Sequence, residues 1–351
     1  MLTIQSDPTV VLETGGSGVI YAVAFDFDRK HILGGGKDGI QRWRLADGRE
    51  VGKQEGISDF NAIAVSRDHK WVVWGTSDEG ASVWDAKMEE KIITVEGTKQ
   101  VSAVDVSPDS SRFATGTGAG DVGIWRITSR KRRLVGPLKH DHLVTGVRFS
   151  PSGEHIATSC LGSSVRIFNS RNGDQLIQIH TTTPGAWPIT PLAWSNNGQH
   201  IFTVADNNTI KSFALSTESQ LAESPILAGG SKKSIALAPN GKFIVTIARD
   251  AILFLDTSTL SPIVPAIEGR EYTTSIAISP DGNYLATGQR NGKINVRNLG
   301  SILPDVYGPF HVSICPLLIM LAFCVSPGPS SPLTYYIRHL LAVNIHQTRR
   351  L

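Results

Sequence analysis

The chain has 351 residues, with 31 acidic side chains, 34 basic ones and three cysteines. Residues 1–305 hold all 31 acids and 31 of the bases, so the net charge of +3 comes from Arg338, Arg349 and Arg350 and is no signal for nucleic-acid binding. Cys160 stands alone in that body, which excludes a disulfide framework and points to a reducing compartment.

The opening residues, Met-Leu-Thr-Ile-Gln-Ser-Asp-Pro, have neither a basic start nor an apolar run of secretory length, so no signal peptide is expected. Residues 9–12 (Thr-Val-Val-Leu) read as one short strand. A block then recurs seven times: an apolar alternating stretch, a Ser-Pro-Asp-Gly-like turn, a second apolar stretch, and a third that ends on a large apolar residue. The residues opening the turns are Asp26, Ser66, Ser107, Ser150, Ser195, Ala238 and Ser279, at gaps of 40, 41, 43, 45, 43 and 41. A period of about 40–45 residues predicts a radial array of four-stranded β units. The third stretches end at Trp43, Trp84, Trp125, Phe168, Phe213, Phe254 and Val296. Outer strands are expected at residues 91–95, 175–179 and 263–264, among others. None follows residue 299, so residues 9–12 are expected to supply the outer strand of the last unit and close the ring.

Trp84-Asp85 is an intact Trp-Asp dipeptide. With the repeat count and spacing, it makes the chain resemble the WD-repeat β-propeller family over roughly residues 8–300. Its degenerate repeats are similar to the expanded WD-repeat sets of filamentous fungi. The resemblance implies an all-β, seven-bladed propeller of four-stranded antiparallel blades over residues 1–300, closed by the N-terminal strand. It also implies a role for Asp38, Asp78, Asp206 and Asp250, in the turns between second and third strands, within a His–Ser/Thr–Trp hydrogen-bond network. That network looks incomplete: His140 stands at the His position of its blade, yet the turn Leu161-Gly-Ser163 has no Asp. Blades held mainly by apolar packing are therefore expected.

Residues 301–351 form an irregular tail without acids after Asp305 and without lysine, broken by Pro309, Pro316, Pro327, Pro329 and Pro332. Its apolar run, 314–325, is shorter than the ~20 residues of a membrane span. A partner-binding or blade-capping segment is one reading. A tail with no evolved structure, translated from a retained intron or a shifted frame, is the plainer one.

Catalytic motifs are not evident. Gly-rich stretches at residues 15–18, 34–36 and 229–230 lack the spacer and the Gly-Lys-Ser/Thr ending of a phosphate loop. His140 and His142 have no Cys or carboxylate cluster around them, so no metal or cofactor is expected. The basic run Arg130, Lys131, Arg132 and Arg133 reads as a nuclear-import signal, an anion-binding patch or solvated loop charge.

The family resemblance implies that partner peptides dock where inter-blade loops crowd the ring axis. The candidates there are Phe60, Lys99, His142, Trp187, Tyr272, Arg249 and Arg290, with Lys37 at the edge. Trp187 reads either as a binding anchor or as a cover over blade five. The function expected is a non-catalytic protein–protein interaction scaffold. It is expected to act as a monomeric ring, cytoplasmic or nuclear, with protein partners and without membrane or direct nucleic-acid contact. Two alternatives stand beside it: an enzyme or small-ligand protein using the central channel, and a nuclear or chromatin-associated platform.

Overall fold

The structure, a computed structural model, describes residues 3–4, 7–14, 18–37, 39–55, 57, 60–95, 100–127, 133–161, 164–181, 191–205, 209–225, 234–248, 251–268 and 272–304. Met1–Leu303 make one compact unit. Two short strands come first, β1 (Thr3–Ile4) and β2 (Val10–Glu13). Seven blades follow. The first holds β3 (Ile20–Phe25), β4 (His31–Gly36), β5 (Gly39–Arg44) and β6 (Glu50–Gln54). The second holds β7 (Phe60–Val65), β8 (Trp71–Thr76), β9 (Ala81–Asp85) and β10 (Lys91–Val95). The third holds β11 (Val101–Val106), β12 (Arg112–Thr117), β13 (Asp121–Arg126) and β14 (Arg133–Lys139). The fourth holds β15 (Val144–Phe149), β16 (His155–Cys160), β17 (Ser164–Asn169) and β18 (Gln175–His180). The fifth holds β19 (Leu192–Trp194), β20 (His200–Val204), β21 (Ile210–Ala214) and β22 (Ser219–Glu223). The sixth holds β23 (Ile235–Leu237), β24 (Phe243–Ala248), β25 (Ala251–Asp256) and β26 (Ala266–Glu268). The seventh holds β27 (Thr273–Ile278), β28 (Tyr284–Gln289), β29 (Lys293–Asn298) and, as its outer strand, β2.

The innermost strands touch in one closed cycle, β3–β7–β11–β15–β19–β23–β27–β3. Second strands are buried on both faces, as in β8 and β12, because each blade is sandwiched between two others. That explains their unbroken apolar runs. Ring closure comes from β2, antiparallel to β29 in the register Val10↔Val296 to Glu13↔Lys293.

The repeated turn follows from its own chemistry. Its serine hydroxyl donates to the acid or amide two residues on, as in Ser66 to Asp68 (2.7 Å) and Ser279 to Asp281 (2.6 Å). The same oxygen accepts the amide of the fifth residue on, as from Trp71 (2.9 Å) and Tyr284 (2.9 Å). The third residue after the opener has positive φ in all seven copies: Gly153, Gly198, Gly241 and Gly282, but also Arg29, His69 and Ser110. The backbone demand persists where the glycine has been lost.

Blades meet closely. A Cβ on Gly75 would strike Val101, and one on Gly116 would strike Val144. These glycines make room for the first side chain of the following blade.

Three features differ from expectation. The sixth outer strand is Ala266–Glu268, not 263–264: Pro262 and Pro265 have no N–H to donate, and before residue 266 the chain meets β25 through scattered bonds, such as Asp256 N to Ser261 O (3.0 Å) and Ile263 N to Phe254 O (3.0 Å), and a bridge at Pro262. Strand β1 adds parallel to β26, as a fifth strand on that sheet. Leu299–Ile302 form a helical turn capped by Asn298, with Ile302 and Leu303 buried. No helix among the described residues is long and apolar enough to cross a membrane. The apolar run 314–325 and the rest of the tail beyond Pro304 lie outside the described residues.

Candidate partner-binding face

Each blade presents two sets of connections. Turns between second and third strands, with the inter-blade segments, form the upper rim; the Ser-Pro-Asp-like turns and the third-to-fourth turns form the lower rim. Tyr272, directly before β27, is 61% exposed. Its carbonyl accepts the amide of Arg290 (2.9 Å), in the turn of the same blade, and Arg290 is exposed as well. One backbone bond thus places an aromatic and a guanidinium side by side. The same lock recurs where Gly118 N meets Gln100 O (2.8 Å) and Leu161 N meets Leu143 O (2.9 Å). Gln100 and Leu143 therefore hold the positions equivalent to Tyr272, one residue before the first strand, a signal present in the repeat register that sequence reasoning passed over. His142 and Lys37 are exposed on this rim.

Phe60 is a correction. It is fully buried as the first residue of β7, and a Cβ on Gly35 would strike its ring. It fills the seam between blades one and two and does not belong to the docking face. Lys99, Trp187 and Arg249 lie outside the described residues, as do Arg130, Lys131 and Arg132. Arg133 opens β14 at the lower rim, over the Trp125 ring (5.5 Å to its centre).

The axis encloses a cavity of about 400 Å3 lined by the innermost strands. Five of those strands carry an irregularity at their second residue: Tyr21, Asn61, Ser102, Thr145 and Thr274. A bulge re-aims a side chain. Here it turns the polar group sideways: Asn61 Nδ2 donates to Val101 O (3.0 Å), Ser102 Oγ to Val144 O (2.5 Å), and Thr274 Oγ1 to Ile20 O. Each acceptor is the first residue of the next blade's inner strand. Three polar groups of the lining are thus committed to holding blade to blade, while Thr145 Oγ1 meets Ser159 Oγ (3.1 Å) within blade four and buried Ser275 Oγ has no partner among the described residues.

The family model described as "Nucleolar protein 10-like, N-terminal domain" matches residues 23–222, more than half of the chain, and that of the "WD domain, G-beta repeat" matches residues 266–298. The chain belongs to this nucleolar protein 10-like family of WD-repeat propellers. It is 22% identical over 293 residues to the intraflagellar transport protein 122 homolog of Xenopus tropicalis, covering 82% of this chain and 24% of that protein. It is 23% identical to Protein groucho of Drosophila melanogaster, covering 79% of this chain and 38% of that protein. A third relative, the U3 small nucleolar RNA-associated protein 15 homolog of Xenopus tropicalis, is 22% identical over 45% of this chain and 31% of its own length. The chain spans about a quarter of the length of the first of these.

The WD-repeat network survives here in pieces. In blade three Trp125 Nε1 donates to Thr115 Oγ1 (2.9 Å). In blade four His140 Nε2 meets Thr158 Oγ1 (2.8 Å), but the third-strand residue is Phe168, which cannot join. Blades six and seven depart from the expected register. The partner of the sixth residue after the turn opener is Trp43, Trp84, Trp125, Phe168 and Phe213 in blades one to five, but Leu255 and Arg297 in the last two. Phe254 and Val296 each stand one place earlier. Buried Arg297 donates to Thr287 Oγ1 (3.3 Å), the threonine equivalent to Thr115. A guanidinium replaces the indole, and burial lowers its pKa against the pull of Asp7.

His140 gives a pH dependence. Thr158 uses its hydroxyl proton on Arg166 O (3.2 Å), so it accepts from His140 Nε2–H, while buried Nδ1 has no partner. Burial, aided by the charge of Arg166, lowers the His140 pKa from 6.5 to about 4. The unfolded chain therefore binds the extra proton first. The contribution of neutral His140, up to ~3 kcal/mol, is present above pH 6.5 and is lost as pH falls towards 4. Denaturation of wild type and His140→Gln at pH 7.5 and 4.5 should show their stability gap shrinking in acid. A gap independent of pH would mean that folding does not shift the His140 pKa.

Proposed function

We propose that this propeller is a non-catalytic interaction scaffold that holds partner peptides or proteins on its upper rim. The observation that carries the reading is Tyr272, the most exposed of the large apolar side chains described, locked beside exposed Arg290. Aromatic and arginine anchors dominate interface energies. Membership of the WD-repeat family supports the same reading, and so does the commitment of Asn61, Ser102 and Thr274 at the axis to neighbouring blades. Trp187, Arg249, Lys99 and His142 are proposed to extend the surface.

The test is capture on immobilised full-length chain, compared with Tyr272→Ala/Arg290→Ala. Loss of each anchor should weaken binding by ~2 kcal/mol or more, so the double variant should retain almost none of the proteins held by wild type, at an unchanged unfolding midpoint. Equal retention by both forms would remove these residues from the site.

A nuclear or nucleolar residence is the second reading. The family description and the U3 small nucleolar RNA-associated relative favour it over a cytoplasmic one. A fluorescent fusion excluded from nuclei would contradict it.

A further inference from the structure

The lower rim gathers arginines where blades three and four adjoin. Arg112 opens β12 and Arg126 closes β13, and the two stand directly opposite each other in the ladder. Like charges so placed are destabilising. Arg112 is fixed by its hydrogen bonds: Nη1 donates to the Ser170 carbonyl (3.0 Å) and hydroxyl (3.1 Å), and Nη2 to Gly153 O (2.9 Å). Its guanidinium also lies over the Phe149 ring (5.5 Å). That reach into blade four brings it beside Arg171, the residue after Ser170. Burial lowers the Arg112 pKa, Asp109 pulls it up, and the charges of Arg171 and Arg126 press it down again.

Arg126 and Arg171 are exposed, and neither is ion-paired with a described residue. Other arginines of this chain do have such partners: Arg42 with Asp26 (3.0 Å), Arg44 with Asp47 (2.7 Å) and Arg166 with Asp141 (2.9 Å). A cluster of mutually repelling, uncompensated guanidinium groups is relieved by a bound anion.

We propose that this rim of blades three and four docks an acidic peptide segment, whose carboxylates bridge Arg126 and Arg171. Guanidinium forks match carboxylates in two-point contacts. The size and flanks of the patch favour a short acidic peptide over nucleic acid. Glu154 and Asp174 stand on the adjoining turns of blade four and limit the positive field to one blade junction, whereas strong polyanion binding draws on many phosphate contacts along a track. The nearby aromatic face of Phe149 is already covered by Arg112, which leaves it closed to base stacking. Residues 128–132 lie outside the described residues, and this surface needs none of them.

The experiment is fluorescence anisotropy of the full chain with labelled octaglutamate, with an eight-nucleotide oligouridylate in parallel. The peptide should bind, and added salt should weaken it. Arg126→Gln/Arg171→Gln should cost it about tenfold or more in affinity, while Lys37→Gln/Arg290→Gln on the upper rim should change nothing. The unfolding midpoint of the Arg126/Arg171 variant should hold or rise, because a repulsion is removed. No peptide binding, or binding indifferent to Arg126 and Arg171, would overturn the proposal. Tighter binding of the oligouridylate through the same arginines would overturn it in favour of nucleic acid.

Discussion

Removal of residues 1–14 should leave a chain that aggregates or melts far below the full-length protein. Strand β2 supplies the entire outer edge of blade seven, and its loss exposes the unpaired N–H and C=O groups of β29, a template for edge-to-edge association. Further ties are lost, among them Thr9 N to Val296 O (2.8 Å), Thr14 Oγ1 to Gly292 O (3.1 Å), and the Glu13–Lys293 ion pair (2.8 Å). Leu12 leaves the core, and burying such a side chain contributes ~1.5–3 kcal/mol. Asp7, whose charge acts on Arg297, goes too, leaving that arginine buried with less compensation. With several ladder bonds at ~1 kcal/mol each, the loss is comparable to a whole-domain stability of ~5–15 kcal/mol. A variant without residues 306–351 should keep the full-length midpoint. Thermal unfolding of the three forms decides: equal midpoints for full-length and N-truncated chains would show that the ring does not depend on this strand.

Trp125→Ala should cost ~3–5 kcal/mol, the range for emptying a large core site. The indole packs on Phe113 (ring centres 6.4 Å apart) within the apolar cluster between blades two and three, and its N–H satisfies Thr115. Alanine leaves both a cavity and a buried hydroxyl that has lost its donor. Trp125→Phe separates the two effects. It should recover most of the packing and leave a deficit of ~1 kcal/mol from the hydrogen bond. Denaturant midpoints for Trp125→Ala equal to wild type would place this residue outside the core.

The fold was legible because its turns are local. Ser, Asp and Gly at fixed offsets are needed for side-chain-to-backbone bonds that each blade must make for itself, so seven copies of the turn mark seven blades. Closure was legible too, because the last unit had no outer strand of its own and residues 9–12 were free to supply one. What escaped depends on neighbours remote in sequence. Phe60 looks like a loop aromatic until Gly35 of the previous blade is placed against it. Arg297 in a tryptophan's position is hidden because Phe254 and Val296, one residue earlier, satisfy the apolar pattern equally well. Only ladder register, a pairing between strands, separates these readings. The parallel β1 has no sequence signature, since two residues carry no periodicity. The arginine cluster of blades three and four draws on positions 112, 126 and 171, none of which stands in the basic run.

The docking face itself is most directly tested by lysine cross-linking and mass spectrometry of the full chain with the proteins it retains. Lys37 marks the upper rim, while Lys87 and Lys242 sit in lower-rim turns away from the arginine cluster. Partner cross-links should concentrate on Lys37 and disappear in Tyr272→Ala/Arg290→Ala. Cross-links concentrated on Lys87 and Lys242, and indifferent to that double variant, would contradict recognition on the upper rim.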